Sequence, residues 1–116
     1  DMREIIDNLD NEDVKRSLDM YNYRIKKYIG SYAAVLNGVD AIVFTAGVGE
    51  HTPEVREAVT DNMDYLGIKV DHDKNWTAPR GEICEISAAD SKVKVYIIPT
   101  DEEYVIAKET EKLIQK

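Results

Sequence analysis

The sequence is short of cysteine, of long apolar runs and of basic side chains, and each shortage removes a class of protein. Its single cysteine, Cys84, cannot close an internal disulfide, so a reducing, cytoplasmic setting is expected. No stretch approaches the roughly 20 apolar residues that span a bilayer, and no signal-peptide pattern opens the chain, so no membrane partner is expected. Lysine and arginine number 15 against 23 acidic residues, a formal net charge of −8. A nucleic-acid partner wants a basic face and is disfavoured. A nucleotide is not, because a local ring of N–H groups and a Mg²⁺ ion hold phosphates inside an acidic protein.

Neither repeats nor low-complexity linkers interrupt the chain. At 116 residues and 43% hydrophobic content it suits one domain, 1–116, with apolar side chains enough for a core. It starts at Asp1 rather than methionine, which suggests a piece of a longer protein.

Residues 1–10 are mixed and acidic, with one helical turn from Ile5, Ile6 and Leu9. The spacing then predicts one long amphipathic helix, its stripe carried by Val14, Leu18, Tyr21, Ile25, Tyr28, Ile29, Tyr32 and Leu36. Asn11 suits its N-cap, and Asn37-Gly38 supplies a left-handed stop. Gly30, inside this helix, suggests close approach of another backbone. The tyrosines fit packing better than a platform for stacked bases. Arg24, Lys26 and Lys27 fit a solvated flank better than a phosphate-steering one.

A strand over 41–45 follows, then a helix from Pro53 to Leu66 with Thr52 as N-cap, and a short strand at 68–70. Asp71 to Asn75 reads as a polar turn, with a metal site around His72 the weaker alternative because no second histidine or cysteine lies near. Strands at 82–87 and 92–98 come next. A last helix opens at Thr100, with Thr100 and Glu103 as a capping box. The order is α/β, a mixed sheet with helices packed on its faces.

The chemistry concentrates at residues 40–52. The apolar run Ala41 to Thr45 leads straight into Gly47-Val48-Gly49, and a new helix opens at Thr52-Pro53-Glu54. Strand, glycine turn and helix start form an arrangement that phosphate sites reuse, because glycine admits a ligand close to backbone N–H groups. The Lys-Ser/Thr of a P-loop and the third glycine of a dinucleotide fingerprint are both missing. A tight turn that needs glycine only for its backbone angles remains the alternative. If the strands at 41–45 and 92–98 run parallel, the loops after them share one rim of the sheet, where α/β proteins bind ligands.

Val39-Asp40-Ala41-Ile42-Val43-Phe44-Thr45-Ala46-Gly47-Val48-Gly49-Glu50 resembles the nucleotide loop of the acetate kinase family, usually DAIVFTAGIGEN. Tyr23-Arg24 with Lys27-Tyr28-Ile29-Gly30 resembles the helix before that loop, and Ile98-Pro99-Thr100-Asp101-Glu102-Glu103 resembles the family's closing motif. The resemblance covers nearly the whole chain. It implies the C-terminal, ribonuclease-H-like domain of an actin-like ATPase fold, with a missing N-terminal domain. It implies reversible transfer of the γ-phosphoryl group of ATP to acetate with Mg²⁺, giving acetyl phosphate and ADP, in a homodimer. Gly47, Val48, Gly49, Glu50 and His51 fall on the nucleotide-binding loop, Glu102 falls on the Mg²⁺ ligand, and no catalytic residue falls in this segment. His51 stands where the family carries asparagine, whose paired donor and acceptor an imidazole matches only as a neutral tautomer. Propionate and butyrate kinases fit the same residues, and a non-catalytic nucleotide-binding or dimerisation domain is the reading from another class.

Overall fold

A computed structural model describes residues 1–100. The expected last helix, its capping partner Glu103 and the expected metal ligand Glu102 lie outside the described residues.

The order is α1 (Met2–Ile6), α2 (Glu12–Val35), β1 (Ala41–Phe44), α3 (Ala46–His51), α4 (Pro53–Thr60), a 3₁₀ turn (Asp64–Leu66), α5 (His72–Trp76), β2 (Cys84–Glu85) and β3 (Lys94–Ile97). Asn11 caps α2 as expected, its Oδ1 accepting from the amides of Asp13 at 2.9 Å and Val14 at 3.3 Å. The helix ends in a left-handed turn at Asn37 (φ 59°), where the Gly38 amide donates back to the Ala33 carbonyl at 2.8 Å.

The buried stripe of α2 is narrower than its sequence spacing predicts. Leu18 and Ala33 are buried and Ile25 and Ile29 pack beside them, but Tyr21, Tyr28, Tyr32 and Leu36 are exposed. Among the described residues α1 and α4 are the helices laid against α2, and together they cover one side of the wide apolar arc. Gly30 also departs from expectation: among the described residues nothing lies within 4 Å of a Cβ built there.

The sheet is mixed, with strand order β1-β3-β2. Strands β1 and β3 are parallel, with Ala41 opposite Lys94 and Phe44 opposite Ile97, while β2 runs antiparallel to β3. The expected strand at 68–70 is a single bridge between Val70 and Ser87, and the expected strand at 82–87 shortens to Cys84–Glu85. Met63, Ile68, Ile86, Val93, Val95 and Ile97 form one core cluster, and Leu18, Val55 and Val59 form a second. Ile29 and Phe44 pack against both, joining the sheet to the α2–α4 pair.

Helix α4 stops at Thr60, short of the expected Leu66. Asp61 is extended (ψ 140°) and Asn62 is left-handed (φ 56°), and this corner turns Met63 into the sheet core. Residues 72–76, expected as a turn, form a short helix capped by Asp71, whose Oδ1 accepts from the Lys74 amide at 2.9 Å. No helix among the described residues is long and apolar enough to cross a membrane.

Candidate functional site

The glycine loop leaves the end of β1 and folds tightly instead of hanging open. Ala46 adopts φ 59°, a left-handed conformation that costs a non-glycine residue roughly 1 kcal/mol. Gly47 (φ 13°, ψ −92°) breaks helical geometry, and the chain then makes one short turn to His51. Such conformations persist where their surroundings hold them, often at ligand sites. The two glycines do different work. A Cβ at Gly49 would lie 3.4 Å from the carbonyl carbon of Phe44, so glycine here lets α3 pack down on the strand end. Among the described residues a Cβ at Gly47 would meet nothing within 4 Å, so glycine there serves the corner itself. Thr52 precedes α4 as expected but makes no side-chain cap bond; its carbonyl accepts from the Val55 amide at 3.1 Å and the Arg56 amide at 3.2 Å.

A cleft of about 680 Å³ opens beside this corner. Gly47, Val48 and His51 line one wall, Met2 and Arg3 of α1 another, and Arg80 contributes from the loop after α5. The cleft sets an open glycine corner, two guanidinium groups and an imidazole beside the carboxylates of Asp1 and Glu54, so its lining is of mixed charge, and Arg3 and Arg80 are the groups an anion would meet.

Gly49 and Glu50 turn elsewhere. The Glu50 carboxylate accepts from the Thr100 amide at 3.3 Å and from its hydroxyl at 3.2 Å. Because β1 and β3 are parallel, the loop after each does emerge on one rim, and Glu50 joins them. The carbonyls of Gly49 and Glu50 both accept from Nη1 of Arg56 at 3.0 Å. Arg56 is 2% exposed, and its Nε and Nη2 donate to the side-chain and backbone oxygens of Asn75 at 2.6 and 2.9 Å. Burial pushes the guanidinium pKa below its ordinary value, opposed by nearby Cys84 and Glu54. Asn75, itself buried, donates to the Pro53 carbonyl at 2.9 Å.

Sequence reasoning overlooked Arg3, Arg56, Asn75 and Arg80. One signal for Arg56 was present: it lies beside Val55 on the apolar arc of α4, where an arginine must bury its charge. His72 takes no part in the cleft. Its Nδ1 lies 2.5 Å from Glu57 Oε1, and Trp76 Nε1 donates to Glu57 Oε2 at 3.3 Å. Among the described residues no three His, Cys, Asp or Glu side chains cluster to hold a metal.

A sequence model described as the Acetokinase family matches residues 1–108. Acetate kinase of Caldicellulosiruptor saccharolyticus is 53% identical over 106 residues, which make up 91% of this chain and 27% of that protein. The crystal structure of Porphyromonas gingivalis acetate kinase matches with a TM-score of 0.82 at 46% identity, over 98% of this chain and 29% of that one. A propionate kinase from Francisella tularensis matches with a TM-score of 0.76 at 31% identity, over 94% and 28%. The chain spans less than a third of each of these relatives. Its fold is that of the acetate kinases, of the actin-like ATPase class.

Proposed function

The chain belongs to the acetokinase family, and from that membership we propose that it is the C-terminal nucleotide-binding segment of a two-domain, cytoplasmic acetate kinase. In the proposed reaction an acetate oxygen attacks the γ-phosphorus of ATP. The new O–P bond forms as the bond to the β-phosphate oxygen breaks, giving acetyl phosphate and ADP, and the reverse reaction regenerates ATP. Phosphoryl transfer of this kind depends on positioning and charge neutralisation by several groups together.

The observation that carries this reading is the open corner at Gly47, facing a cleft that also holds Arg3 and Arg80. The chain bends at Gly47, and a glycine corner of this kind lets phosphate oxygens come close to backbone N–H groups with no Cβ in the way. Arg3 and Arg80 would neutralise phosphate charge, and His51 would meet the nucleotide where relatives use asparagine. Glu50 acts by holding the rim together through Thr100. Glu102 is the proposed Mg²⁺ ligand; two residues beyond Thr100, it follows the strand end that Glu50 grips. When bound, Mg²⁺ would offset charge on the phosphates and favour oxygen donors of this type.

Acyl selection belongs to the part of the enzyme outside this segment, so propionate or butyrate remains the alternative acceptor. The likeness to a propionate kinase supports keeping it. A dimer is also proposed, because α2 exposes Tyr23, Tyr28 and Tyr32 as an aromatic face, with Tyr28 and Tyr32 stacked on each other. The test is an acyl phosphate assay of the full-length protein with MgATP and acetate, propionate or butyrate. Acetate is expected to give the highest kcat/KM, and no turnover on any of the three overturns the proposal. Residues 1–116 alone are expected to show no turnover.

A further inference from the structure

Arg56 is a buried cation whose partners, among the described residues, are oxygens of neutral groups. Four bonds of 2.6 to 3.0 Å run from three of its nitrogens to Asn75 and to the carbonyls of Gly49 and Glu50. Those two carbonyls close the C-terminal end of α3, where a helix leaves carbonyls unpaired and favours a cation. In a trans peptide the N–H points opposite the C=O. Gripping these carbonyls therefore fixes the peptides whose N–H groups belong to Glu50 and His51, and with them the short turn that follows the kink at Gly47. Asn75 sets the grip: its Oδ1 takes Nε, its carbonyl takes Nη2, and its own amide is tied to Pro53 at the start of α4.

We propose that Arg56 and Asn75 are positioning residues for the nucleotide loop, aligning α3 so that its amides meet the phosphates. This rests on the nucleotide role proposed above for the same loop. The fork geometry matters as much as the charge. A lysine ammonium at position 56 cannot reach both loop carbonyls and Asn75 from one point.

The test compares Arg56→Lys and Asn75→Ala in the full-length protein, with Val93→Ala as control. Val93 is buried in the sheet core just before β3, at the end of that strand away from the rim. Tm, KM for MgATP and KM for the carboxylate are read for each. KM does not depend on the fraction of enzyme that is folded, so lost stability alone cannot move it. Arg56→Lys and Asn75→Ala are expected to raise KM for MgATP by about tenfold or more while leaving KM for the carboxylate within about twofold. Val93→Ala is expected to lower Tm with KM for MgATP unchanged. If Arg56→Lys does not accumulate, Asn75→Ala, which removes the acceptor for Nε and the tie to Pro53 but keeps the backbone carbonyl, gives the same reading. Lowered Tm with wild-type KM for MgATP in Arg56→Lys or Asn75→Ala overturns the inference. A wild-type protein that phosphorylates none of the three carboxylates overturns the functional proposal first, and the inference with it.

Discussion

Glu85 shows how a single exposed carboxylate is tied into the sheet. Its Oε2 accepts from the Ser87 hydroxyl at 2.6 Å, and Ser87 Oγ accepts in turn from the Val95 amide at 3.2 Å in the core. The Ser87 hydrogen bond holds the carboxyl below its ordinary pKa, with burial opposing and Lys94 and Lys74 assisting. A folded pKa below the unfolded value of about 4.3 means the contribution is whole above that pH and is lost as pH falls through the lower folded value. Thermal melts of wild type and Glu85→Gln should therefore differ most above about pH 5 and converge under acid conditions. A gap that widens on acidification would contradict this. At this scale the sequence was a good guide to the local cap at Asn11, though not at Thr52, whose side chain makes no cap bond, and a poor one for Arg56, whose Asn75 partner lies 19 positions away.

Among elements, α2 offers a test of how little its middle is packed. With nothing within 4 Å of a Cβ at Gly30 among the described residues, Gly30→Ala should add close to 1 kcal/mol to stability in urea unfolding, because alanine loses less chain entropy in a helix. A loss would reveal a neighbour against that face. Gly67 should behave in the opposite way. Its φ of 84° ends the 3₁₀ turn, and a Cβ there would lie 3.0 Å from Lys92 Cβ, so Gly67→Ala should cost about 1–2 kcal/mol in the same experiment. The long helix and both parallel strands announced themselves through periodicity. The end of α4 did not, because Met63 continues the spacing of Val55 and Val59 although the backbone has already turned at Asn62. Helix α5 went unseen because its five residues have no apolar stripe, and the Asp71 cap was its one local mark.

At the scale of the whole molecule, the parallel pairing of β1 with β3 does most to assemble the site. It brings the ends of two distant segments to one rim, an outcome the sequence allowed once both runs were read as strands. The contribution of α1 could not be read that way. Arg3 reaches the cleft because α1 packs against α2, a contact with no signature in either segment. The central claim is that the corner from Gly47 to His51 grips a nucleotide's phosphates. A crystal structure of the full-length protein with a non-hydrolysable ATP analogue and Mg²⁺ tests it most directly. The account predicts phosphate oxygens at about 2.7–3.2 Å from backbone N–H groups in that stretch. A nucleotide bound elsewhere, with that corner facing bulk solvent, would contradict it.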